Sequence, residues 1–172
     1  IGGLATLAIC TNPLTTALGG STLALYTLVY TPMKRTSPLN TWVGAVVGAV
    51  PPVMGFTAAT GCLFAPEAAI MASSLFLWQF PHFFSLAWMV RKDYAAGGYH
   101  MLPVMDVTGK ATAATVHRYS LYMAALPLLS SALGVTSSMF AVESVAFNGY
   151  LLYLTQRFKR DTNQDNARAV FR

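Results

Sequence analysis

Two short runs and one lone imidazole carry the groups in this chain that could do chemistry. Lys34 and Arg35 stand side by side, a pair able to hold a phosphate or diphosphate, the guanidinium by its fork of donors and the ammonium as a mobile point charge. The same pair could instead serve only as a charged anchor at a helix end. Arg91, Lys92 and Asp93, followed by Tyr94, place a carboxylate beside two cations. Asp93 could bind Mg²⁺, which takes one or two carboxylates and fills its shell with phosphate oxygens and water; alternatively it makes a rim ion pair contributing less than about 1 kcal/mol. Asp106 is a further carboxylate within reach across the intervening loop. His82 follows Pro81 inside an apolar run, a depth at which ionisable groups are functional by default. The alternative is a neutral imidazole bonded to a carbonyl that Pro81 leaves free. Trp78, one turn before His82, and Leu86, one turn after, make a face suited to a flat or polyprenyl ligand, or to plain packing. Gly97 and Gly98 permit a left-handed turn or a close backbone approach.

The elements that must position these groups are membrane helices. The 172-residue chain has a mean hydropathy of +0.50 and only 10% charged residues, far below the roughly 25% of a soluble domain. Residues 1–33, 36–66, 68–90 and 119–142 contain no Asp, Glu, Lys or Arg, and about 20 apolar residues suffice to cross the hydrocarbon core. The excess of eleven Lys and Arg over six Asp and Glu then reads as helix anchoring and topology, not as nucleic-acid binding. Cys10 and Cys62, in apolar surroundings without metal-ligand spacing, read as inert thiols.

In chain order, residues 1–10 form the tail of one helix, and Thr11-Asn12-Pro13 is the break. Spans follow at 14–31, 41–61, 67–90, 118–134 and 139–158, the first closing on Tyr26 and Tyr30 at the interface belt. Pro51-Pro52 and Pro81 are expected to kink their helices. The connector 91–117 is the longest, and long connectors in compact proteins usually carry function; 157–172 reads as a polar tail. All eleven cations fall in connectors or helix ends on alternate sides of successive spans, hence on one face of the membrane, which the positive-inside rule makes cytoplasmic, or matrix in a mitochondrion. Chemistry confined to one face suits an enzyme or acceptor site working from one compartment better than the crossing pathway of a channel or transporter.

Four motifs now carry a resemblance: Y-T-P-M-K-R-T-S-P-L-N (30–40), G-A-V-P-P-V-M-G-F-T-A-A-T-G (48–61), W-Q-F-P-H-F-F-S-L-A-W (78–88) and D-Y-A-A-G-G-Y-H-M-L-P (93–103). In order and spacing they resemble the protohaem IX farnesyltransferase family, within the UbiA superfamily of intramembrane prenyltransferases; 148–158 and 167–171 are similar too, and the wording of 41–61 is closer to the mitochondrial branch. The resemblance implies an all-α polytopic bundle, of which this chain would hold about five to six of nine transmembrane helices as a single domain, 1–172, in the mitochondrial inner membrane with its basic face toward the matrix, or in the bacterial inner membrane. It implies transfer of a farnesyl group from farnesyl diphosphate to a vinyl group of haem B, giving haem O, with Mg²⁺ held by aspartates. By motif match, Lys34, Arg35 and Asp93 would be catalytic, with Asp93 the metal ligand. Trp78, His82, Arg91, Lys92, Tyr94 and His100 would contact substrate, His82 facing the haem. A homo-oligomer or an association with haem A synthase is a further expectation.

The family's first acidic motif is not found among these residues, and both ends read as those of a fragment truncated on each side. The expectation is therefore a piece inactive by itself. Two alternatives remain: a UbiA-type enzyme acting on a quinone precursor, and a non-catalytic piece with a structural role.

Overall fold

The computed structural model describes residues 2–172, all of whose regular elements are helices. Helix α1 (Gly2–Cys10) is followed by Asn12, the N-cap of the next helix, whose side chain accepts from Thr15 N at 2.9 Å while Pro13 takes the first helical position, a capping arrangement in which the missing proline N–H costs nothing. Helix α2 (Pro13–Ala24) runs without a break into a π-helical turn (Leu25–Tyr30) and α3 (Thr31–Met33). Pro32 explains the widened turn: its ring collides with the carbonyl four residues back, and the helix relaxes into longer bonds, with Thr31 Oγ1 donating to Tyr26 O at 2.8 Å. The rest are α4 (Asn40–Thr60), α5 (Pro66–Met89), α6 (Arg91–Ala96), α7 (Leu102–Met105), α8 (Lys110–Ala132), α9 (Ser138–Arg160) and α10 (Gln164–Phe171).

The α4, α5, α8 and α9 helices pack in sequence order, with α2 against α4 and α10 folded back on α5 and α9. The core is built on α5: Phe80, Phe84 and Trp88 meet Ala113 and Val116 of α8, Leu154 and Phe158 of α9, and Ala167 and Val170 of α10. The Tyr119 ring stacks on Phe80 at 3.7 Å between centroids, and its hydroxyl accepts from Trp42 Nε1 at 2.7 Å, so one side chain joins α4, α5 and α8. Small residues let backbones approach, as in other membrane bundles. A methyl at Gly48 would overlap the amide of Gln79, which donates to Ala45 O at 3.0 Å.

The connectors sort into two ends as the charge pattern requires. At the basic end, His100 N donates to Lys34 O at 2.8 Å and Thr162 Oγ1 to Thr108 O at 3.0 Å, so the three connectors after α3, α5 and α9 meet. At the other end, Asn12 Nδ2 donates to Thr57 O at 2.7 Å, and the buried hydroxyls of Thr15 and Thr57 are 2.9 Å apart.

Three expectations change. Residues 91–117 are not one long connector: α6 and α7 occupy part of it, and α8 begins at Lys110, because Asp106 provides a helix start that the apolar pattern does not reveal. Residues 157–172 are not a loose tail: α9 runs to Arg160, and α10 is an amphipathic helix capped by Asn163, which accepts from Asn166 N at 2.8 Å, with Ala167 and Val170 buried. Finally, among the described residues only Asn40–Thr60 is both long and apolar enough to cross a membrane on length and composition. Helix α5 is longer, at 24 residues, or about 36 Å at the α-helical rise, but Trp78, Gln79, Pro81 and His82 dilute its apolar character.

The Thr15–Thr57 contact gives a test of the packing. Replacing Thr57 by Val removes a buried interhelical hydrogen bond and leaves the Thr15 hydroxyl unpartnered. We expect a loss of about 1 kcal/mol, read as a shifted midpoint of unfolding in mixed micelles, with helix content unchanged.

Candidate functional site

Lys34 emerges at the end of α3 where the π-helical turn has placed two tyrosines on one side. Its Nζ lies 4.5 Å from the centroid of the Tyr30 ring and 5.6 Å from that of Tyr26, a cation–π clamp that orients the ammonium without neutralising it. Arg35 is exposed, and its Nη2 makes a long 3.5 Å contact with Gly97 O. Gly97 N in turn bonds to the carbonyl of Asp93 at 3.0 Å. Lys34, Arg35 and Asp93 are thus brought to one end of the bundle, on adjoining connectors.

The loop that faces Arg35 depends on Gly98. Its φ of +71° ends α6 in the left-handed region, where a side chain would cost about 1–2 kcal/mol. That reversal lets Tyr99 N reach Tyr94 O at 3.0 Å and sets the His100 backbone against Lys34. Tyr94 faces Tyr99 at 5.7 Å and Phe83 of α5 at 6.4 Å, continuing the aromatic surface downward.

Beneath this end lies a cavity of about 230 Å³ between the π-helical turn, α4 and α5. Tyr30, Thr41 and Gly44 line one side; Trp78, Gln79, His82 and Phe83 line the other. His82 is half-buried and stacked on both faces, by Trp78 at 4.4 Å and 18° and by Phe171 at 4.7 Å and 29°. It does not bond a carbonyl released by Pro81. The hydroxyl of Ser85 donates to the Pro81 and His82 carbonyls, at 2.7 and 2.9 Å, and the imidazole nitrogens make no protein hydrogen bond among the described residues.

Two charged residues also make structural contacts. Arg91 Nη1 donates to Trp88 O at 2.7 Å and its guanidinium lies 3.9 Å over the Trp88 ring, closing the end of α5. Asp106 accepts from Gly109 N at 3.0 Å through one carboxylate oxygen and from Thr112 N at 2.7 Å through the other. It is the cap of α8, not a second acidic ligand. Lys92, Asp93 and His100 are exposed, and the rim ion pair considered for Asp93 does not form: among the described residues the one ion pair is Arg168 with Asp165, at 3.2 Å. No group of three or more His, Cys, Asp or Glu able to hold a metal is found among the described residues.

Tyr30, Thr41 and Gln79 line the cavity and Phe171 stacks on His82, none of them singled out as ligands from sequence. Gln79 had a usable signal, a polar residue three before His82 in an apolar run. Tyr30 reads equally well as an interface residue, and nothing in local spacing joins Phe171 to His82.

A polytopic helical bundle with a basic rim over an aromatic-lined cavity defines a class. Residues 1–172 match the UbiA prenyltransferase family, and the chain belongs to it. It is 43% identical over 169 residues to the mitochondrial protoheme IX farnesyltransferase of Arabidopsis thaliana, covering 98% of this chain and 39% of the relative. Over 170 residues it is 45% identical to the Homo sapiens mitochondrial protoheme IX farnesyltransferase, covering 98% and 38%, and 39% identical to the protoheme IX farnesyltransferase of Solibacter usitatus, covering 99% and 58%. The chain therefore spans about two fifths of the length of these mitochondrial relatives. No solved structure matches it.

The two aspartates should separate on substitution. Asp106→Ala removes the α8 cap and should cost about 1–2 kcal/mol of stability, read by thermal melting, whereas Asp93→Asn should leave the melting temperature within a degree or two.

Proposed function

We propose that this chain carries part of the site at which a farnesyl group passes from farnesyl diphosphate to a vinyl group of haem B, producing haem O. The observation that supports this most directly is the stacking of the two regions: an unneutralised Lys34 and Arg35 beside the Asp93 turn, directly above a cavity walled by Tyr30, Trp78 and His82. The names of the relatives favour haem over a quinone precursor as the acceptor.

Lys34 and Arg35 would hold the diphosphate, Lys34 oriented by its two tyrosines. The C1–O bond of farnesyl diphosphate breaks with its electron pair leaving on the diphosphate, and the allylic cation is taken by the vinyl π-bond. The cation this leaves beside the macrocycle is discharged by adding water and losing a proton. Tyr30, Trp78 and Phe83 limit the access of water to the allylic cation and offer it π-faces, while the water that completes the reaction enters beside the macrocycle. Trp78 and His82 would lie against the macrocycle, while Tyr94, Lys92 and His100 flank the entrance.

Asp93 fits what Mg²⁺ takes from a protein when substrate oxygens and water fill the remaining positions, an exposed carboxylate free of any ion pair. Asp93 would hold the ion, which when bound neutralises the departing diphosphate. A single carboxylate is half of the acidic set that the family resemblance implies, so these residues by themselves would be a slow catalyst. The membrane is proposed to be the mitochondrial inner membrane, or its bacterial counterpart, with the basic end toward the matrix or cytoplasm.

Two measurements test this. In detergent micelles, binding of farnesyl diphosphate should weaken by about 10- to 100-fold in Lys34→Ala or Arg35→Ala, the range for losing a charge-assisted contact, and Asp93→Asn should abolish the Mg²⁺ enhancement of that binding. Wild-type affinity in all three variants would remove the diphosphate assignment. Farnesyl transfer by the 172-residue chain should fall at least about a hundredfold below an intact relative; comparable turnover would show that Asp93 needs no acidic companion.

A further inference from the structure

Helix α10 packs on α5 and sets Phe171 against His82, one of the residues lining the cavity that the proposed function uses. We propose that Phe171 is a positioning residue for His82, fixing the plane of the imidazole so that its ring nitrogens address the acceptor. This rests on the reading of His82 as an acceptor contact.

The geometry is a three-ring stack, Trp78, His82 and Phe171, with the imidazole in the middle at 4.4 and 4.7 Å. A ring held on both faces cannot tip about χ2, yet its nitrogen lone pair and N–H lie in the ring plane. They point out only in the plane that the stack permits, and hydrogen bonding and iron ligation both occur in that plane. Among the described residues neither nitrogen has a protein hydrogen bond, so stacking is the restraint on the ring, and His82 lines the cavity of about 230 Å³. In most ligating histidines the second nitrogen is fixed by a carbonyl or carboxylate; here stacking takes over that task.

Phe171 is itself held firmly enough to act. Asn166 Nδ2 donates to Asp161 O at 2.9 Å and its Oδ1 accepts from Arg157 Nη2 at 3.1 Å. Ala167 is fully buried and Val170 nearly so. These contacts bind α10 to α9 and set the last turn over His82.

The test compares Phe171→Leu, which keeps apolar volume but loses the ring face, with Phe171→Tyr, which keeps the ring, in the whole chain in micelles with helix content checked by circular dichroism. The first readout needs no haem: the rate at which diethyl pyrocarbonate carbethoxylates His82, followed by mass spectrometry. It should rise about tenfold in Phe171→Leu and stay within about twofold of wild type in Phe171→Tyr. The second readout is titration with haem: affinity should fall about tenfold in Phe171→Leu, with a shifted Soret maximum, and recover in Phe171→Tyr. An unchanged carbethoxylation rate in Phe171→Leu overturns the proposal, as does a haem affinity and Soret maximum equal to wild type in that variant. A wild-type chain that binds no haem, but shows the carbethoxylation difference, would overturn the acceptor role of His82 and leave the clamp standing as a structural fact.

Discussion

The side-chain amide of Asn40 is the contact on which the rest of the candidate site depends. It is fully buried at the start of α4, and its Nδ2 donates to Ser37 O at 2.6 Å and to His100 O at 2.9 Å. A buried amide left without partners costs several kcal/mol, so these two bonds permit only arrangements in which the connector after α3 lies against the loop after α6. Lys34 and Arg35 inherit their place from that restriction. So does the separation between the charged rim and the aromatic cavity, because the same residue begins the helix that supplies Thr41 and Gly44.

Each layer of the site is stabilised differently. Toward the basic end, charges are oriented by aromatic faces and backbone carbonyls, not by opposite charges, which leaves them available to an anion. Deeper, the restraint is stacking and close approach: Trp42 to Tyr119 and Phe80, Gln79 to the α4 backbone, His82 between two rings. Dispersion contacts of this kind are individually weak and collectively large, and they do not depend on excluding water from a core, which lipid chains have already done.

Sequence reading reached the helical class, the sorting of connectors to two ends and the grouping of Lys34, Arg35 and the Asp93 turn, because charge-free runs and the alternation of cations are properties of the linear chain. It could not reach α10. The stretch from Gln164 to Phe171 is polar by composition, and its apolar residues show their purpose only against α5 and α9. Asp106 misled for a related reason: a carboxylate that caps a helix and one that binds a metal are the same residue type in the same kind of loop, and only the N–H groups of Gly109 and Thr112 tell them apart. Tyr30 was visible as an aromatic at a helix end, but the π-helical turn that aims it at Lys34 arises from Pro32, whose effect on a preceding turn is not written in periodicity. Arg91 was legible as a cation beside Asp93, but its contact with the Trp88 carbonyl and ring at the end of α5 was not.

Arg168 with Asp165 is the one ion pair among the described residues, and this has an electrical consequence for the whole molecule. With the other cations unmatched and gathered at one end, the protein wears a collar that repels itself over a Debye length of about 8 Å at physiological salt. Such a collar draws counter-charge from wherever it is nearest, and in a bilayer that is the anionic headgroups of the surrounding leaflet. Lipid composition and ionic strength therefore act on this protein as competitors for the same surface, and a membrane poor in acidic lipid leaves that surface most open to a dissolved anion.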